Sequence, residues 1–345
     1  MSRVLITLTL VLASCAPATV GPGPSSSATA SPSPAPLEAV TFMAGFKPQA
    51  DLPFVGVYVA RERGYFKAQG LDVTIRHAVS GEHVQLLATG KIQFSTGTGG
   101  DILKRVAQVD VPLVSIAVIA QRDDQAFAVR ADSSITTLKD WEGRLVGYKS
   151  TPSADYLALL KIGGVDRSKV REVAVGFDPR VLATGQVDVY PVFGANEPDT
   201  LARQGVPVRL FDPSAYGIPS FGLTYMTNRE LINTRPDVVK RFLRAALKGI
   251  EDATLDPAGA VEIVMRYAPG EDPAHQRFML DTEIGAAQSD LTRSRGIGAT
   301  TREQWAALES FLAEYGALPK RVNVSTVYND TFVNDVYRNG KLVWP

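Results

Sequence analysis

Asn196 and Glu197 stand side by side after the apolar run Val187-Asp188-Val189-Tyr190-Pro191-Val192-Phe193. A carboxylate beside an amide can accept hydrogen bonds from a ring N–H or a hydroxyl, and Pro198 then turns the chain, so the pair is expected in a loop after a strand. A solvated turn is the plainer reading of the same residues. Three other stretches, Ser80-Gly81-Glu82, Thr96-Gly97-Thr98-Gly99-Gly100 and Ser150-Thr151-Pro152-Ser153, precede helical patterns and would offer free backbone N–H groups to a carbonyl or an anion. Their glycines do not follow the dinucleotide spacing G-x-G-x-x-G, and no P-loop lysine follows them. Nothing here points to turnover. The three histidines, His77, His83 and His275, lack the spacing of a zinc site, G-x-S-x-G is absent, and Cys15 is the only cysteine. A disulfide framework and a thiolate metal cluster are therefore excluded, and the expectation is a binding protein without metal or cofactor.

The elements that must hold these residues alternate. Val40–Ala44, Leu71–Ile75, Gln93–Gly97, Leu113–Ala120, Gln125–Val129, Leu145–Tyr148, Val170–Val175, Val187–Phe193, Val208–Phe211 and Gly222–Met226 have strand patterns. Helical spacing appears over Pro53–Phe66, His83–Thr89, Ala154–Lys161 and Pro179–Thr184, from Thr98 onward, and in four long runs after Pro236. Strands alternating with helices predict an α/β protein with parallel strands and crossover helices. The layout predicts a chain that crosses twice between two lobes, 38–128 with 223–345 and 129–222, leaving a ligand cleft at the strands' carboxyl ends.

The N-terminus reads as a lipoprotein leader. Arg3, the apolar run Val4–Leu12 and Leu12-Ala13-Ser14-Cys15 predict a signal peptide at 1–14, with Cys15 as the lipidated residue. The Pro/Ser/Ala-rich stretch at 15–37 then reads as a disordered tether. The expected location is the cell membrane, lipid-anchored and facing the extracytoplasmic side. With 36 basic and 36 acidic side chains and no charge run, no nucleic-acid surface is expected.

The stretch Phe54–Val73 resembles the "YVA-x-E-x-GYF-x-x-x-GLDV" signature of the thiamine-precursor, sulfonate, taurine and nitrate binding proteins of ABC importers. Gln85–Phe94, Leu138–Gly147 and Ala195-Asn196-Glu197-Pro198 resemble three further segments of that superfamily, in the same order. The resemblance implies a type II periplasmic-binding-protein fold, two α/β lobes joined by a two-strand hinge with the ligand cleft between them. It also implies a monomer served by an ABC permease and its ATPase, and not a catalyst. The related yeast-type pyrimidine synthase relies on a cysteine-rich iron segment that has no counterpart here, so a secreted enzyme on the same fold is the reading from another class.

Pyrimidine-binding members carry a Trp and a "PN" pair where this chain has Phe46 and Pro48-Gln49. The run Pro48–Ala60 with Ser80–His83 is more similar to the riboflavin-binding branch, which makes riboflavin the implied transported ligand. A thiamine pyrimidine precursor is the alternative, then an aliphatic sulfonate or nitrate, for which Lys47 and Arg180 are the cationic candidates. A flavin needs aromatic faces, amides for its uracil-like edge and hydroxyls for its polyol tail. The residues supplying those types are Phe46, Gln49, Phe54, Ser80, Glu82, Thr96, Gly97, Tyr148, Tyr190, Asn196, Glu197 and Tyr225. Core packing is the alternative use of each aromatic.

Overall fold

The computed structural model describes residues 36–149 and 151–345, with Leu5 and Leu10. The leader, Cys15 and the tether as far as residue 35 otherwise lie outside the described residues, as does Ser150.

Ten strands form two sheets: β1 Glu38–Ala44, β2 Leu71–His77, β3 Phe94–Thr98, β4 Leu113–Val118, β5 Gln125–Arg130, β6 Leu145–Lys149, β7 Arg171–Val175, β8 Tyr190–Phe193, β9 Val208–Phe211 and β10 Leu223–Asn228. The first sheet has the order β2-β1-β3-β10-β4, with β1 parallel to β2 and β3, and β10 antiparallel to β3 and β4. In the second, β5 runs antiparallel to β8 and β9, β6 pairs β7 in parallel, and a parallel bridge from Val146 to Val189 joins the two parts. The resulting order β7-β6-β8-β5-β9 repeats that of the first sheet. The all-parallel expectation fails at β5 and β10 for one reason. Each arrives from the other lobe, so it enters its sheet at the cleft end and runs against the strands that finish there. The connecting segments lie side by side, Gly222 N donating to Ala120 O and Ile119 N to Leu223 O.

Local signals account for the helices. Thr98 caps Gly99–Val109 through Asp101 N, and Ser153 caps Ala154–Ile162 through Tyr156 N. Pro53 opens Leu52–Glu62, where a missing N–H costs nothing. That helix packs on Pro236–Leu255 so closely that a Cβ on Gly249 would lie 2.0 Å from Gly56 O. Phe242 of the longer helix stacks on Phe94 at 3.8 Å, with Phe42, Phe66 and Tyr225 around it. The second lobe is centred on Trp141, against Phe127, Tyr156 and Phe211. Glu197 is not in a loop: it begins the helix Glu197–Arg203, with Asn196 at its N-cap.

Candidate functional site

Lys149 closes β6 and Glu197 follows β8, so neighbouring strand ends bring the two together. Lys149 Nζ donates to Glu197 Oε1 at 2.8 Å, and Glu197 Oε2 accepts from Phe193 N at 2.8 Å. Their side chains are 14 % and 6 % exposed, so this ion pair is well removed from water. The ammonium also lies over the rings of Phe193, Phe177 and Tyr190, at 4.5, 5.0 and 5.4 Å. Phe177, just past β7, leaves 70 % of its surface in solvent, and Phe46, just past β1, leaves 55 %. Each is a large aromatic at a strand's carboxyl end in its own lobe.

Beside the pair opens a cavity of about 440 Å³ lined by Tyr148, Lys149, Ser153, Asp155, Tyr156 and Phe193. A second, of about 460 Å³, lies between the lobes, where Thr98, Asp101 and Lys104 of the first face Ser153 and Asp155 of the second across Asp123 and Ser220. Gln125, Ser153 and Asp155 border both, so the two adjoin. The starts of Gly99–Val109 and Ala154–Ile162 both meet it, each already carrying an acidic residue in its first turn.

Carboxylates collect where the lobes join. Burial raises Asp51 to about 7, partly countered by the Gln49 amide and reinforced by the charge of Asp124. Burial raises Asp124 to about 6, with Glu197 adding to the rise, and lifts Asp123 and Glu283 well above the usual range. Glu283 is 5 % exposed and its Oε2 has no partner.

The residues picked from sequence fall into three groups. Tyr148 lines the pocket, Glu197 holds the Lys149 that lines it, and Gln49 donates to both oxygens of Asp51 at 3.1 Å. Asn196 faces the other lobe, its Oδ1 3.0 Å from His275 Nε2, and Phe46 is exposed at the rim. Burial corrects the assignments of Phe54, Tyr225, Tyr190 and Thr96, whereas Gly97, Ser80 and Glu82 are partly or fully exposed. Phe54 and Tyr225 are buried in the first core, with the Tyr225 hydroxyl donating to Pro53 O at 2.7 Å. Tyr190 is equally buried and bonds Gly176 O at 2.9 Å, so its ring can only back Lys149. Thr96 is fully buried and accepts from Gly45 N at 3.0 Å, while Gly97 lies against the Met226 side chain. Glu82 accepts from Val79 N and Ser80 N, which holds its carboxyl down at about 2 and ties Ser80 into the same exposed turn. Lys149, Phe177 and the acidic group were missed. Their sequence traces are slight: a lysine and an aromatic just past strand ends, and the doublet Asp123-Asp124.

A chain that splits between two such sheets, with the cleft at their carboxyl ends, has the periplasmic-binding-protein fold. The sulfonate-binding protein SsuA from Escherichia coli matches it with a TM-score of 0.66 at 14 % identity, over 84 % of this chain and 91 % of that one. The family described as NMT1/THI5 like matches residues 52–260, and the chain belongs to it. The riboflavin-binding protein RibY of Chloroflexus aurantiacus is 26 % identical over 308 residues, 86 % of each chain. The formylaminopyrimidine-binding protein of Halalkalibacterium halodurans is 27 % identical over 296 residues, 83 % of this chain and 88 % of the relative. A yeast relative, 23 % identical over 248 residues and covering 67 % of this chain and 72 % of its own, is named as a 4-amino-5-hydroxymethyl-2-methylpyrimidine phosphate synthase.

Proposed function

We propose that this protein is the lipid-anchored, extracytoplasmic binding component of an ABC importer, and that it carries riboflavin without altering it. One observation carries the reading furthest: a pocket adjoining the interlobe cleft opens beside Tyr148 and Phe193, with the exposed aromatics Phe46 and Phe177 at strand ends of opposite lobes. Rings on either side of a hinge suit a flat ligand that is stacked as the lobes shut. The similarity to RibY supports the choice of flavin.

Titrating purified protein into riboflavin tests this. Quenching of flavin fluorescence at micromolar protein, with a ligand-dependent rise in melting temperature, is the expected result. Fluorescence unchanged at those concentrations removes the flavin. The anchor has its own test: Cys15→Ser should release the protein from the membrane fraction, and retention there would rule out a lipid on this residue.

The relative from Halalkalibacterium halodurans favours a pyrimidine as the second reading. A sulfonate has less support, because both cations first considered for it have acidic partners. Lys47 pairs with Glu271 at 2.5 Å, and Arg180 forks onto Asp178 at 2.6 to 2.9 Å.

A further inference from the structure

The lobe junction gathers acidic side chains from three distant segments. Ala50 N donates to Gln276 Oε1 at 2.7 Å, which ties the loop carrying Asp51 to the helix Pro273–Ala286. Glu283, seven residues beyond Gln276, comes from the same face of that helix two turns on. Gln121 N donates to Ala286 O at 3.0 Å, drawing the crossing segment with Asp123 and Asp124 against the helix end. Asp123 lines the cleft itself, opposite Asp155 and Asp101.

Among the described residues, no lysine, arginine or histidine forms an ion pair with Asp51, Asp123, Asp124 or Glu283. The donors that do reach them are few: the Gln49 amide on Asp51, Gln125 N on Asp123, Leu52 N on Glu283, and on Asp124 its own N–H, Ala195 N and the Asp123 carboxyl. Glu283 Oε2 remains buried and without a donor, among the charges of Asp51, Asp124 and Asp123. A buried carboxylate left in that state is costly, and a second anion beside it would cost more.

We propose that Asp123, at the cleft wall and backed by Asp51, Asp124 and Glu283, receives the ligand, so that the cleft takes a heterocycle presenting several N–H or O–H donors or a positive charge, and rejects anions such as sulfonates. The inference rests on the reading of the protein as a solute trap, but not on flavin as the solute. A neutral flavin with its ring N–H and polyol, and a protonated aminopyrimidine, share the required chemistry. The sulfonate binders that share the fold set the opposite demand, an anionic ligand.

Proton linkage distinguishes these roles. Burial and mutual repulsion favour the protonated forms of the cluster, raising Asp51 to about 7 and Asp123 and Glu283 well above the usual carboxylate range. The charged groups facing it are Asp101, Asp155 and Glu197, with Lys104 acting on Asp155 and Lys149 on Glu197. Donors brought by a ligand would favour the ionised forms and expel protons, whereas an anion would draw protons in.

Calorimetric titration of the full chain at pH 7, in buffers of differing ionisation enthalpy, reads this directly. The probes are riboflavin, 4-amino-5-hydroxymethyl-2-methylpyrimidine and ethanesulfonate. The expected result is binding of riboflavin with proton release and no heat from millimolar ethanesulfonate. Glu283→Gln and Asp123→Asn should each weaken riboflavin by roughly tenfold and reduce the protons released. The second variant alters a half-buried side chain at the cleft wall, so it tests the proposal even where the first perturbs the fold. Unchanged affinity and proton release in both variants would overturn the inference. If the pyrimidine binds with proton release and riboflavin does not, the flavin fails and the inference stands. If only ethanesulfonate binds, both fail.

Discussion

Glu197 and Glu283 are both carboxylates buried beside one cleft, and the chain treats them differently. Glu197 has a cation at 2.8 Å, a backbone donor on its second oxygen and three aromatic rings around that cation. Glu283 has acidic neighbours and a free oxygen. The Lys149–Glu197 pair is complete before any ligand arrives, so it braces the strand ends of the second lobe. The group around Glu283 is incomplete within the protein, and its completion falls to whatever enters. In one cleft, charge that is satisfied internally builds the wall, and charge left unsatisfied defines the occupant.

Removing the cation from the complete pair should have the largest effect. Lys149→Met leaves Glu197 buried with a backbone donor alone and should cost about 3–5 kcal/mol of stability in urea unfolding. Adding Glu197→Gln should recover much of that loss, because the stranded charge goes with it. A single-variant loss below about 1 kcal/mol would place Lys149 among the ligand's contacts and not in the frame of the site.

The incomplete group predicts the opposite sign. Asp51 ionises near 3.8 when unfolded and at about 7 when folded, so the folded chain keeps a proton that the unfolded chain gives up. Its contribution is fully present below pH 4 and is lost as pH rises through 7. His77 and His83 are pushed down by burial, so their contribution runs the other way as pH falls through 6.5. Comparing wild type with Asp51→Asn at each pH cancels the histidines. The two should converge only toward pH 3, and between pH 5 and pH 8 the variant should gain a further about 2 to 3 kcal/mol on the wild type, a few degrees in midpoint. A difference that is flat across that range would mean Asp51 holds no extra proton when the chain folds.

Much of the frame is written locally. Thr98, Ser153 and Pro53 mark helix starts by their own chemistry, and β4 reads as a strand covered on both faces because it is apolar but for Ser115. The six-residue helices Arg229–Thr234, Asp290–Arg295 and Thr331–Val336 went unread. Aromatics show the limit most clearly. Tyr148 and Tyr225 both occur in strands, and nothing in the sequence separates the ring at a cleft from the ring under Phe242. The acidic group is invisible for a stronger reason: Asp51, the Asp123-Asp124 doublet and Glu283 are brought together only by tertiary contacts.

The smallest effects concern the contacts between lobes, and two of them can be set against each other. His275, in the helix Pro273–Ala286 of the first lobe, places Nδ1 2.7 Å from Asp199 Oδ2 and Nε2 3.0 Å from Asn196 Oδ1, both in the second lobe. Arg203 holds the same Asp199 at 2.6 Å, so the histidine docks onto a carboxylate already fixed in place. Lys161 also reaches across, to Glu314 at 2.7 Å, but those side chains are 67 % and 57 % exposed and tie down little. His275→Ala should therefore speed ligand release by about three- to tenfold in stopped-flow fluorescence, with little change in melting temperature. Lys161→Ala should alter release by less than about twofold. Equal effects from the two would mean that closure depends on the number of crossing contacts and not on burial, and His275 would then lose its place as the latch.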